Sequence, residues 1–195
     1  LRMPPEAGYF LAFALVTGCV VSICLAAPRL SSRWSWGIVL GCAATLVALA
    51  SLRIKADNVQ LAALGWVAVM FGCSALGAKI GQAVEKPGHL CVVVILSAAV
   101  DTYSVLSPQG VTAAVVENET LLTVLALSWA FPGTAEVLPL LGMGDVTMSA
   151  LYLGAALNHN LPRRRGMWGL LAGYAAVAVA VFMLERSLPA LPFLG

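Results

Sequence analysis

Two aspartates stand where a charge is costly. Asp101 lies at the end of an apolar run that begins at Cys91, and Asp145 closes the tetrad Gly142-Met143-Gly144-Asp145 ahead of a second apolar run. An ionised aspartate at mid-membrane costs about 2.5–3.5 kcal/mol on insertion scales. Acids placed there are functional by default. Two carboxyl groups sharing a low-dielectric site hold one proton between them. That state suits peptide hydrolysis. The ionised member takes a proton from the attacking water, and the protonated member donates to the carbonyl oxygen. Gly142 and Gly144 leave the backbone bare beside Asp145, so an extended substrate could lie close. The same acids would also suit proton or ion coupling in a transporter. Their type and spacing alone favour neither reading.

The elements that must position this pair are read from composition. Of 195 residues, 61% are hydrophobic and 10% charged, with a mean hydropathy of +0.93. A soluble domain carries about 25% charged residues. The chain therefore reads as an all-α polytopic membrane protein, integral and multi-pass, with the lipid bilayer as its first partner. The net charge of +2, with no Lys/Arg-rich stretch, argues against nucleic acid. Cys19, Cys24, Cys42, Cys73 and Cys91 all fall in apolar runs without a C-x-x-C pair. They read as small buried hydrophobes, not disulfides or zinc ligands, and no metal or cofactor is expected. The sequence opens on Leu1, as a fragment or processed chain would. Residues 8–26 read as a membrane helix, being long for a signal peptide and closely followed by Pro28.

A spanning helix needs about 20 apolar residues. Six segments qualify or nearly do: 8–26, 35–52, 59–82, 89–106, 138–158 and 167–184. They form one membrane domain over 1–195, with 1–88 a scaffold of three helices and 89–195 the core that bears the aspartates. Trp34, Trp36 and Trp168 stand at segment edges, where amphipathic rings favour the interface. Gly37 with Gly41, Gly77 with Gly81, and Gly169 with Gly173 have the spacing that lets helices approach closely. The link from Ser107 to Val137 is long and holds an apolar piece, Leu121 to Phe131, too short to span and suited to a partial helix or a strand. After the sixth segment, Pro189 and Pro192 preclude a regular helix, leaving an extended apolar tail. Links 27–34, 83–88 and 159–166, with Lys79, carry seven Lys and Arg against four on the other side. The positive-inside rule then places the N-terminus and the 107–137 link outside.

Depth arithmetic pairs the two acids. Asp101 lies twelve residues after His89, or about 18 Å along its helix. That leaves about 12 Å to the far face of the hydrocarbon core. Asp145 lies seven residues after Leu138, or about 10 Å from that same face. On consecutive, antiparallel spans the carboxyl groups arrive at similar depth.

Three motifs occur in order: Asp101-Thr102-Tyr103-Ser104-Val105 before a Pro/Gly turn, Gly142-Met143-Gly144-Asp145, and Pro189-Ala190-Leu191-Pro192. Together they resemble the GxGD intramembrane aspartyl proteases, the presenilin and signal peptide peptidase family, over residues 89–195. The resemblance implies a presenilin-like core with a C-terminal PAL-type segment. Asp101 and Asp145 would be the catalytic dyad, with Pro189, Ala190 and Leu191 shaping the site. Substrates would be single-span membrane proteins or signal peptides, held in extended form by β-addition along Leu121–Phe131 or the residues before Gly142. The chain departs from the family in places. Val100 stands where the family usually has Tyr, and three helices precede that of Asp101 where the family has five. In the family a ninth helix follows the PAL motif; this sequence ends at Gly195. The orientation above matches signal peptide peptidases and is opposite to presenilin.

Tyr103, two residues from Asp101, is a further candidate for a hydrogen bond near the site. His89 and His159 read as interfacial, Arg163–Arg165 as a topology anchor, and Asn118-Glu119-Thr120 as a sequon that matters only in a secretory-pathway host. Two other activities fit the acids: a prepilin-peptidase-like enzyme, which shares GxGD, and a proton-coupled transporter or inactive scaffold.

Overall fold

A computed structural model describes residues 5–52, 59–107, 115, 118–130 and 137–184. The chain is mostly helical. Its elements are α1 (Pro5–Ala26), a 3-10 turn (Ala27–Arg29), α2 (Ser32–Ser51), α3 (Val59–Gln82), α4 (Pro87–Leu106), α5 (Glu119–Leu125), β1 (Ala126–Ala130), β2 (Val137–Gly142), α6 (Met143–Asn158) and α7 (Arg163–Leu184). Among the described residues, four helices are long and apolar enough to cross a membrane: Gly8–Arg29, Ser32–Ser51, Gln60–Gln82 and Pro87–Ser104. Local chemistry sets several starts. Pro87 opens α4, where a missing N–H has no helical partner to lose. Asn118 caps α5, its side chain accepting from the Leu121 N–H at 3.2 Å.

The centre of the molecule is α3 against α6. A side-chain carbon on Gly77 would collide with the Thr147 carbonyl oxygen, and one on Gly81 with that of Leu151. From the other side, a carbon on Gly154 would lie 2.8 Å from the Ala78 carbonyl oxygen. The two backbones are in direct contact, which only residues without a Cβ permit. The other glycine pairs behave differently. Side chains at Gly37, Gly41 and Gly169 would meet nothing within 4 Å, so those glycines do not bring helices together within this chain. Equal spacing marks a packing face only where another helix is presented to it.

Helices α1 and α7 pack across this pair. Val20 and Cys24 of α1 are fully buried, with Leu170, Tyr174 and Ala178 of α7 beside them. Phe13 meets Tyr174 edge-on at 6.3 Å. Helix α2 covers another face of α3. Helix α4 lies at the periphery, with its span unburied by the rest of the chain, and the hydroxyls of Ser97 and Tyr152 join it to α6 at 3.3 Å.

Three links meet at one end. Gln82 Nε2 donates to the Pro28 carbonyl at 2.8 Å, and Asn158 Nδ2 to that of Val84 at 3.2 Å. His159 Nε2 reaches the same Val84 oxygen at 2.9 Å. The cations Arg29, Arg33, Lys86, Arg164 and Arg165 therefore share that end of the molecule. The opposite end holds Ala50, Asn118, Thr120 and Leu121, which line a common hollow.

The helical pattern breaks once. Strands β1 and β2 form an antiparallel hairpin, Ala126 opposite Gly142 and Leu127 opposite Leu141. The register slips between Leu127 and Ser128, next to Pro139. Pro139 has no N–H for a ladder, and bulges are where sheets tolerate it. Helix α5, which leads into the hairpin, rests on α3, where Trp66 Nε1 donates to the Thr123 carbonyl at 3.0 Å. The architecture is thus helical with one small sheet. The segment expected to span from 138 to 158 is instead strand through Gly142 and then a helix of 16 residues, about 24 Å long. Its first residues satisfy their backbone groups through β1, an option that hydropathy cannot foresee.

Candidate functional site

Asp145 sits at the third position of α6, in the first turn, and not the two turns inside a helix that the depth arithmetic assumed. The helix cannot begin earlier because Gly142 is extended (φ −81°, ψ 159°) and ends β2. From that position the Asp145 carboxylate reaches back. Its Oδ2 accepts the Gly142 N–H at 3.1 Å. This is half of a capping box, the other half being absent because Gly142 has no side chain. The carboxylate also meets the unpaired N–H end of the helix.

Asp101 is half-buried on α4 and interacts electrostatically with Asp145. That interaction crosses the α4–α6 boundary. The boundary has a simple grammar. Ser97 and Asp101 are four apart on α4, and Asp145, Ser149 and Tyr152 are four and three apart on α6. Each set makes one stripe on its helix.

The first turns of α6 are held by polar contacts from three other helices. Tyr174 of α7 donates its hydroxyl to the Asp145 carbonyl at 3.3 Å and lies 2.7 Å from Ser149 Oγ. Cys24 of α1 lies 3.4 Å from Ser74 Oγ of α3 and donates to the Val146 carbonyl at 3.8 Å. Cys73 hydrogen-bonds the Thr147 side chain. Among the described residues no buried side-chain polar atom lacks a partner. Of the five cysteines expected to be buried, Cys24 and Cys73 are, and they also fasten this helix; Cys42 is half-buried, and Cys19 and Cys91 are exposed on outward helix faces.

Gly142, Met143 and Gly144 are exposed among the described residues, and a side chain at Gly144 would meet none of them within 4 Å. The bareness of Gly144 serves no contact among the described residues. The two stretches expected to receive an extended substrate, before and after the loop, pair with each other as β1 and β2, and β2 runs straight into the tetrad.

Among the described residues, Tyr103 is not on the Asp101 face of α4. Two residues from Asp101 on a helix is about 200° around the axis, and its side chain is 64% exposed. Pro189, Ala190 and Leu191 lie outside the described residues. Ser149, Tyr152 and Tyr174 were not singled out from the sequence. A signal existed for the first two, which lie on the face of Asp145. None existed for Tyr174, which arrives from a separate helix. Comparisons with protein-family models, curated proteins and solved structures gave no match.

Proposed function

We propose that this chain is a six-span, presenilin-like intramembrane aspartyl protease of the GxGD type, cleaving single-span membrane proteins or signal peptides. The observation that supports the reading is that Asp145, closing the Gly142–Asp145 tetrad at a helix start, lies within electrostatic range of Asp101 on α4. Asp145 there lies at an exposed helix start that continues a strand. One carboxylate activates water and the other, protonated, protonates the scissile carbonyl oxygen. Open space beside Gly144 admits a substrate backbone. The neighbouring hairpin offers an edge for an extended segment, giving main-chain hydrogen bonds before cleavage. Pro189–Leu191 are assigned to the rim of the site on the motif resemblance alone.

The test is cleavage of a single-span reporter in detergent or liposomes. Asp101→Asn and Asp145→Asn are each expected to lower the rate by about 10²–10⁴-fold or more, with membrane insertion unchanged. A transition-state-analogue photoprobe should label wild type and be displaced by excess inhibitor. Retained cleavage in either variant, or absent labelling of folded protein, would overturn the reading and leave a transporter or scaffold role.

A further inference from the structure

Helix α7 contributes the phenol of Tyr174 to the Asp145 turn. We infer that Tyr174 is a positioning residue for Asp145, acting on its backbone; the inference rests on the proteolytic reading above. Tyr174 is 1% exposed, so its hydroxyl must find partners within the protein. It donates its single proton to the Asp145 carbonyl at 3.3 Å. Ser149 Oγ, at 2.7 Å, then donates to the phenol oxygen. Both partners lie on α6, four residues apart, so one oxygen from a different helix bridges the first turn. The Gly142 N–H fixes the Asp145 side chain, and Tyr174 fixes its main chain. The carboxylate is thereby placed relative to Asp101 by α7 as well as by its own helix. The ring itself is set by its edge contact with Phe13, 6.3 Å away, which does not involve the hydroxyl. Removing only the oxygen therefore leaves the packing.

Misplacement of a catalytic group by about 1 Å can cost about 10²-fold in rate. A single lost hydrogen bond corresponds to a few-fold to about tenfold. Tyr174→Phe should therefore lower kcat about tenfold at unchanged KM, because the substrate-binding surfaces are untouched. Ser149→Ala should lower kcat about threefold, since the phenol still reaches the Asp145 carbonyl. The double variant should be no slower than Tyr174→Phe alone, because both changes cut one chain of hydrogen bonds.

The experiment uses the full chain in liposomes with a single-span reporter, with rates normalised to sites titrated by a transition-state analogue. Unchanged kcat per titrated site in Tyr174→Phe, or losses that multiply in the double variant, overturns the role of Tyr174. Those results leave the protease reading intact if Asp145→Asn is inactive. Cleavage by Asp145→Asn sinks that reading and this inference with it. Should Tyr174→Phe not fold, Ser149→Ala decides: a lowered kcat at constant KM supports the clamp, and an unchanged kcat overturns it.

Discussion

Asp145 shows how a carboxylate is held at a helix start. Its side chain accepts from the backbone of Gly142, and its carbonyl from Tyr174. Between these anchors the Gly144 position is open on the outside. A side chain there clashes with none of the described residues but would occupy the space assigned to substrate. Gly144→Val is therefore expected to change stability by no more than about 0.5 kcal/mol, since the residue gains bulk without colliding with a described residue and loses no helix propensity relative to glycine. Its KM for a single-span reporter should rise several-fold. Denaturation of the purified variant checks the first expectation and steady-state kinetics the second. Unaltered kinetics would show that substrate does not pass over Gly144.

At the scale of elements, the α3–α6 pair carries the fold. Its glycines have carbonyl oxygens where a Cβ would stand, so Gly77→Ala should force the helices apart and cost about 1–3 kcal/mol. Gly37→Ala, with nothing within 4 Å, is expected to remain within about 0.5 kcal/mol of wild type. Unfolding of the two variants in mixed micelles compares them directly; equal losses would contradict the packing described. Helix α5 depends on a smaller contact. Trp66→Phe removes the donor to the Thr123 carbonyl, a loss of about 1 kcal/mol. Faster amide exchange across α5 would report it.

For the whole molecule, the two ends are distinct. The 27–34, 83–88 and 159–166 links meet at one end through Gln82, Asn158 and His159, and the start of α5 lies at the other. If the bundle crosses a bilayer as proposed, a membrane-impermeant thiol reagent should label Glu85→Cys and Arg164→Cys from one side. It should label Asn118→Cys from the other, in a background without native cysteines. Labelling of all three from a single side would contradict the six-span arrangement. The positive-inside rule assigns the first side to the cytoplasm.

Residue composition alone determined that this chain is mostly helical and apolar, and four of the six spans it suggested coincide with described helices long enough to cross a membrane. Those properties are sums over neighbours in sequence. The two aspartates stood out for the same reason, as charges among apolar residues. Tertiary structure decided the rest. Leu138–Leu141 are apolar enough for a helix, yet become strand because β1 supplies their backbone partners. Gly77 and Gly37 carry the same spacing signal, and only the first faces another backbone. Tyr103 is near Asp101 in sequence and turns away from it, while Tyr174, 29 residues from Asp145, holds its carbonyl. Periodicity can place a residue on a face, but which face meets which is a property of contacts between distant segments.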